Sequence, residues 1–216
     1  MRLEDKKLEG NAIATGAGIQ IYNKPRVVND VDMYLHGNVE HISHYENMFN
    51  CLRSLEEGDT ARIWISNSGG LLDSALEIIQ SIQDCRGEVV TIVTGECHSA
   101  ASLIALSSPS LHIGDFATMM IHNASYGAVG KATDVYHQVQ HSHTVLRKLM
   151  HKFYAGFLSE QEIEDVIAGK ELWFDADEIR QRLEQRLVYQ EKLIEELQNP
   201  PKAKSKKKVT QKQVTE

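Results

Sequence analysis

The chain has 216 residues, of which 42% are apolar and 25% charged, and its formal net charge is −7. That is enough material to bury one sizeable core with an appendage. It excludes whole-chain disorder, a collagen-like fibre, a uniformly basic nucleic-acid binder and, with no apolar run near ~18 residues, a membrane-spanning helix.

Residues 1–30 are polar and glycine-rich, with a short apolar run only at Ile19 to Tyr22, and are expected to form a flexible N-terminal arm. The first ten residues are charged and lack an apolar centre, so they do not read as a signal peptide. Val31 to His36 predicts a strand closed by Gly37-Asn38. Residues 43–56 predict a helix, with Tyr45, Met48, Phe49 and Leu52 on one stripe. Ala61 to Ile65 predicts a second strand, broken by Ser66-Asn67-Ser68-Gly69-Gly70, and Leu72 to Ile82 a helix. Glu88 to Val93 predicts a third strand and Ser99 to Leu106 an apolar helix, joined by the loop Thr94 to Ser99. Leu111 to Ile113 and Thr118 to Ile121 predict short strands. Long helices follow at about 132–157 and 176–197, both polar away from their apolar stripes. They suit projection from a sheet domain, packing on partner subunits or ordinary packing on their own domain.

Alternating strands and helices indicate βαβ units on a largely parallel sheet, where loops at the carboxyl ends of strands carry chemistry. Asn199-Pro200-Pro201 ends the last helix, because proline lacks the amide donor and restricts its predecessor. Residues 199–216 hold six lysines and one acid, a surplus of +5, which leaves −12 on the rest of the chain given the total of −7. This stretch reads as a disordered basic tail. It serves either a weak contact with nucleic acid or an acidic protein surface, or solubility alone. Three cysteines (Cys51, Cys85 and Cys97) form no disulfide framework and fit a reducing compartment, with a cytoplasmic location expected.

Ser99 sits between a strand and an apolar helix whose free amides and positive dipole end would favour an oxyanion. A serine there is either a nucleophile awaiting a base or a simple helix cap. His122 ends the strand Met119-Met120-Ile121 and enters a loop with Asn123, where it is placed for general-base work or for a structural role. Gly69-Gly70 either turns its amides toward a carbonyl oxygen or makes a tight turn. His137, His141 and His143 lie close together, but no third ligand or acid stands at zinc-site spacing, so a solvated helix face is expected and no metal. His98 adjoins Ser99 and should point away from it.

Taken together, Gly69-Gly70 after a strand, Gly95-x-x-x-Ser99-Ala100 before a helix and Met120-Ile121-His122 some two dozen residues later resemble the ClpP family of serine peptidases. Gly130-x-Ala132-x-Asp134 and Ala176-x-Glu178 extend the resemblance, which covers roughly residues 31–178. It implies an α/β fold of crotonase-like stacked βαβ units with a helical handle, here with a long C-terminal helix. It implies Ser99 as nucleophile, His122 as base and the Gly70 and Ala100 amides as oxyanion hole, with Gly69 and Asn123 beside the substrate. The family's third acid falls on Glu171, with Asp165 and Asp175 as runners-up. No cofactor is required. Polypeptide substrates, homo-oligomeric rings, possible stacking of those rings and a possible ATPase unfoldase partner are implied.

Departures are visible beside these matches. The family's Asn-Ser-Pro-Gly-Gly has lost its proline or shifted by one, Glu96-Cys97-His98 stands where the family has Gln-Ala-Ala, and Asn123-Ala124 replaces Gln-Pro. The closing Tyr-Gly-Leu-Ile/Val-Asp is missing, and Arg182 to Arg186 continues as helix. Divergence of this kind with a lysine tail is reminiscent of phage-encoded members. Two other readings stay open: a catalytically silent ring or scaffold subunit, and a crotonase-like enzyme of acyl-CoA thioesters, which Ser99 with His122 argues against.

Overall fold

The computed structural model describes residues 27–199 and, as backbone, two short strands before them. These strands, β1 (Ala12–Ala14) and β2 (Gln20–Tyr22), pair antiparallel within the segment expected as an arm. The rest of that segment up to residue 26, and the basic tail beyond Asn199, lie outside the described residues. Contacts divide the chain into two compact units, Met1–Met120 and Ile121–Glu216.

In the first unit β3 (Asp30–Val39), β4 (Thr60–Gly70) and β5 (Glu88–His98) run parallel in that order. The short strands β6 (Ser110–Ile113) and β7 (Thr118–Ile121) both pair with β5, again parallel. Between them run a 3-10 turn (Ile42–Tyr45) with α1 (Glu46–Ser54), α2 (Leu72–Gln83) and α3 (Ala100–Ser107). Alternation along β4 buries Ala61, Ile63 and Ile65 on one face. Ile78, Ile79 and Ile82 of α2 and Leu103, Ile104 and Leu106 of α3 join them in the core. Helix α3 is buried from Ala100 to Leu106, which accounts for its apolar character all round. On the other face of β4, Trp64 stacks on Tyr34 and donates through Nε1 to Asp32 at 2.8 Å.

β4 and β5 run further than their apolar content indicates. The segments read as loops, Ser66 to Gly70 and Thr94 to His98, continue the strands. Ser66 and Ser68 keep pointing outward while Asn67 and Gly69 turn inward, so the period of two persists in polar and small residues. A break in register between Ile65 and Asn67 against β5 marks where the regular ladder ends.

The second unit contains α4 (Ala132–Tyr154), α5 (Glu160–Ile167), β8 (Leu172–Phe174) and α6 (Ala176–Gln198). Phe157 meets Phe174 edge to face at 5.8 Å, and the Arg182 guanidinium lies 4.4 Å over the Phe174 ring. Arg182 also pairs with Glu162 at 2.7 Å and donates to the Phe157 carbonyl, tying α6 to α5. Glu162 closes the capping box of α5 with Ser159 as well. The hydrogen bond from Arg182 holds its carboxyl at about 2, well below the usual carboxylate range. A depressed folded-state pKa contributes stability that is present above the unfolded value and is lost as pH falls toward about 2. The thermal stability of wild type should therefore fall between pH 5 and pH 2, and Glu162→Gln should flatten that slope. For this partly exposed pair the effect is on the order of 1 kcal/mol.

Candidate active site

Ser99 is the one non-glycine residue with positive φ among the described residues, at φ 54° and ψ −123°. Such a backbone costs about 1–3 kcal/mol and persists only where its surroundings impose it. Here they do. The Ser99 amide donates to the Met120 carbonyl at 2.8 Å, and its own carbonyl accepts from the Ser102 amide and hydroxyl at 3.0 and 2.7 Å. The sharp turn delivers the chain from β5 straight into α3. Ser99 makes no side-chain cap to that helix, so the cap reading of this serine does not apply.

Gly69 lies against this turn. A Cβ built on it would stand 2.6 Å from both the His98 carbonyl oxygen and the Ser99 Cβ, and 3.1 Å from the Ala100 nitrogen. Its φ of 90° independently favours glycine. Gly70 is similarly confined, 2.3 Å from the Val39 oxygen by the same construction. Gly69→Ala should thus destabilise the first unit by about 3 kcal/mol, read as a lower denaturant midpoint with unchanged slope.

Asn67 was not singled out from the sequence. It is fully buried, and its Oδ1 accepts from the Gly69 amide at 2.8 Å. Its Nδ2 has no hydrogen-bond partner among the described residues, which costs about 1–3 kcal/mol. Cys97, two residues before Ser99, is also fully buried, and burial pushes its thiol up, so it is no competing nucleophile. His98 Nε2 meets Thr118 Oγ1 at 3.1 Å, and Glu96 accepts from Ser68 Oγ at 2.8 Å.

The other expected site residues belong to the second unit. His122 Nδ1 stands 3.9 Å from Glu171 Oε1, an ion-pair separation slightly beyond hydrogen bonding. The Asn123 carboxamide donates to the Ile167 carbonyl at 3.1 Å and accepts from the Ala124 amide at 2.9 Å, fixing the loop after His122 to the end of α5. The two runner-up acids are engaged elsewhere. Asp175 caps α6, accepting from the Glu178 amide at 2.9 Å and completing a capping box. Asp165 accepts from Gln161 and from Lys170, and these partners hold its carboxyl below the usual range. That capping box also explains Ala176-x-Glu178 as local helix grammar. His137, His141 and His143 are exposed on α4, and no three His, Cys, Asp or Glu side chains among the described residues are arranged to hold a metal ion. No described helix is long and apolar enough to cross a membrane.

The strained Ser99 at the start of buried α3, with Gly69 packed against it, is the geometry beside which the family match stands. The family model for Clp protease matches residues 16–182. The chain belongs to that family, with its ClpP-like α/β fold and its general character of serine peptidase. It is similar to the ATP-dependent Clp protease proteolytic subunit 3 of Streptomyces avermitilis, with 26% identity over 177 residues that span 80% of this chain and 79% of that protein.

Proposed function

We propose that this chain is a serine endopeptidase subunit that cleaves polypeptides through an acyl-enzyme on Ser99. The observation that carries this reading is the left-handed Ser99 backbone at the mouth of α3, with Gly69 packed against it. For the chemistry to run, the His122 imidazole must come within hydrogen-bond reach of the Ser99 hydroxyl. His122 then takes the hydroxyl proton as Oγ attacks the scissile carbonyl. The Gly70 and Ala100 amides receive the developing oxyanion, a single donor of this kind contributing roughly 2.7–4 kcal/mol. His122 passes its proton to the leaving amine, and the first product departs. Water, deprotonated by the same imidazole, hydrolyses the ester and restores Ser99. Glu171 holds the imidazole tautomer with Nδ1 protonated and stabilises the imidazolium. The 3.9 Å separation and the prior engagement of Asp165 and Asp175 favour Glu171 for this role. A substrate strand would run past Gly69 and Asn123.

The particle is proposed to be a homo-oligomeric ring. Leu146, Met150 and Phe153 are buried near the end of α4, while Tyr136 and Val139 stand exposed on the same side of its first half, which leaves an apolar stretch open to further subunits. An ATPase partner would be consistent with the name carried by the Streptomyces relative. The test is casein digestion by the assembled protein before and after fluorophosphonate treatment. Cleavage that the reagent abolishes is expected. A folded particle that neither cleaves casein nor takes up the reagent would indicate a silent scaffold.

A further inference from the structure

We infer that Asn67 is a positioning residue for the oxyanion hole, acting through the Gly69 amide; this rests on the peptidase reading above. The carboxamide is fully buried on the core face of β4, in register with Gly37 of β3 and Cys97 of β5. An apolar side chain of the same size would fill that place without stranding an amide nitrogen. What leucine cannot supply is the acceptor. Asn67 Oδ1 takes the Gly69 N–H at 2.8 Å, closing a turn from a residue to the second one after it. That bond falls after the register against β5 has shifted and, on the β3 side, between the pairs Gly37–Asn67 and Val39–Gly70, where that register shifts as well.

The consequence reaches the next peptide. Gly69 and Gly70 both have positive φ, at 90° and 148°, and two adjacent glycines have wide freedom to rotate. The Gly69–Gly70 peptide bears the amide assigned to the oxyanion. Holding the Gly69 nitrogen limits how that peptide plane can turn. The close approach of Gly69 to Ser99 Cβ and the Ala100 nitrogen limits it from the other side. Asn67 therefore orients the donor without touching substrate. The residue carries weight here because the Pro that stiffens the related motif is absent from Asn67-Ser68-Gly69-Gly70.

The test compares wild type, Asn67→Leu and Asn67→Ser in the assembled protein. The readouts are the second-order rate of fluorophosphonate labelling at Ser99, and kcat and KM on a peptide ester. Asn67→Leu should label and turn over roughly a hundredfold more slowly, with KM nearly unchanged, because the donor acts on the oxyanion and not on ground-state binding. Asn67→Ser, whose hydroxyl can still accept from the Gly69 amide, should recover most of the loss. Should the leucine variant fail to fold, protection of the Gly69 amide in wild type decides the matter. Slow hydrogen exchange supports the bond and rapid exchange overturns it. Labelling of folded Asn67→Leu at the wild-type rate, or a serine variant as slow as leucine, would also overturn the inference. Wild type that resists the reagent altogether would instead remove the peptidase reading on which the inference stands.

Discussion

Ser99→Ala should lower peptide hydrolysis by about 10⁵–10⁶-fold while leaving the fold and the particle mass unchanged. In peptidases whose nucleophile and base act as a unit, loss of the nucleophile removes nearly everything that positioning of the triad supplies, and what remains comes from the oxyanion hole and binding. Alanine also fits the space without new contacts, so the unfolding midpoint should stay near that of wild type. Assay of a purified particle with a fluorogenic peptide reads the effect directly. Equal rates in the two proteins would remove Ser99 from the mechanism.

Glu171→Gln should reduce kcat by roughly 10²–10³-fold. In a buried triad the corresponding amide replacement reaches ~10⁴, because the imidazole is left in the wrong tautomer. The Glu171 side chain is 55% exposed, so water shares its work and the loss should be smaller. The conservative variants of the other acids give the contrast. Asp175→Asn retains a good helix cap, and Asp165→Asn loses the charge pair with Lys170 while keeping an acceptor for Gln161, so both should turn over near the wild-type rate. If Asp175→Asn shows the large fall instead, the acid has been assigned to the wrong position.

Much of this architecture is legible before folding is considered. The apolar runs of β3, β4 and β5 and the stripes of α1 and α2 announce parallel βαβ units, and the limits of α2 and α6 fall within a residue of those the structure has. Three things are not legible, each for a physical reason. The ends of β4 and β5 are built from serine, glycine, threonine and asparagine, so their alternation carries no hydrophobic signal. β8 has only three residues, too few for a period, and α5 has eight, announced mainly by the box of Ser159 and Glu162. The packing of Gly69 on Ser99 joins residues thirty positions apart, which no local pattern encodes.

The candidate site divides the same way. Ser99 and His122 stand out by their places at strand ends, but a capping serine reads the same in sequence as one that makes no cap, and only the missing side-chain bond to α3 separates them. Choosing Glu171 over Asp165 and Asp175 needs the partners of all three, since composition places three acids within eleven residues. Asn67 has no signal beyond sitting two residues before a glycine, a spacing common in turns. Its burial, and the orphaned nitrogen that accompanies it, appear only once β3 and β5 flank it.

The most direct measurement is intact-protein and peptide mass spectrometry on wild type quenched in acid during turnover of a slow ester substrate. One acyl group per active subunit is expected, mapped to Ser99 and absent from His122→Ala under the same conditions. Turnover with no covalent adduct, or an adduct on any other residue, would contradict it.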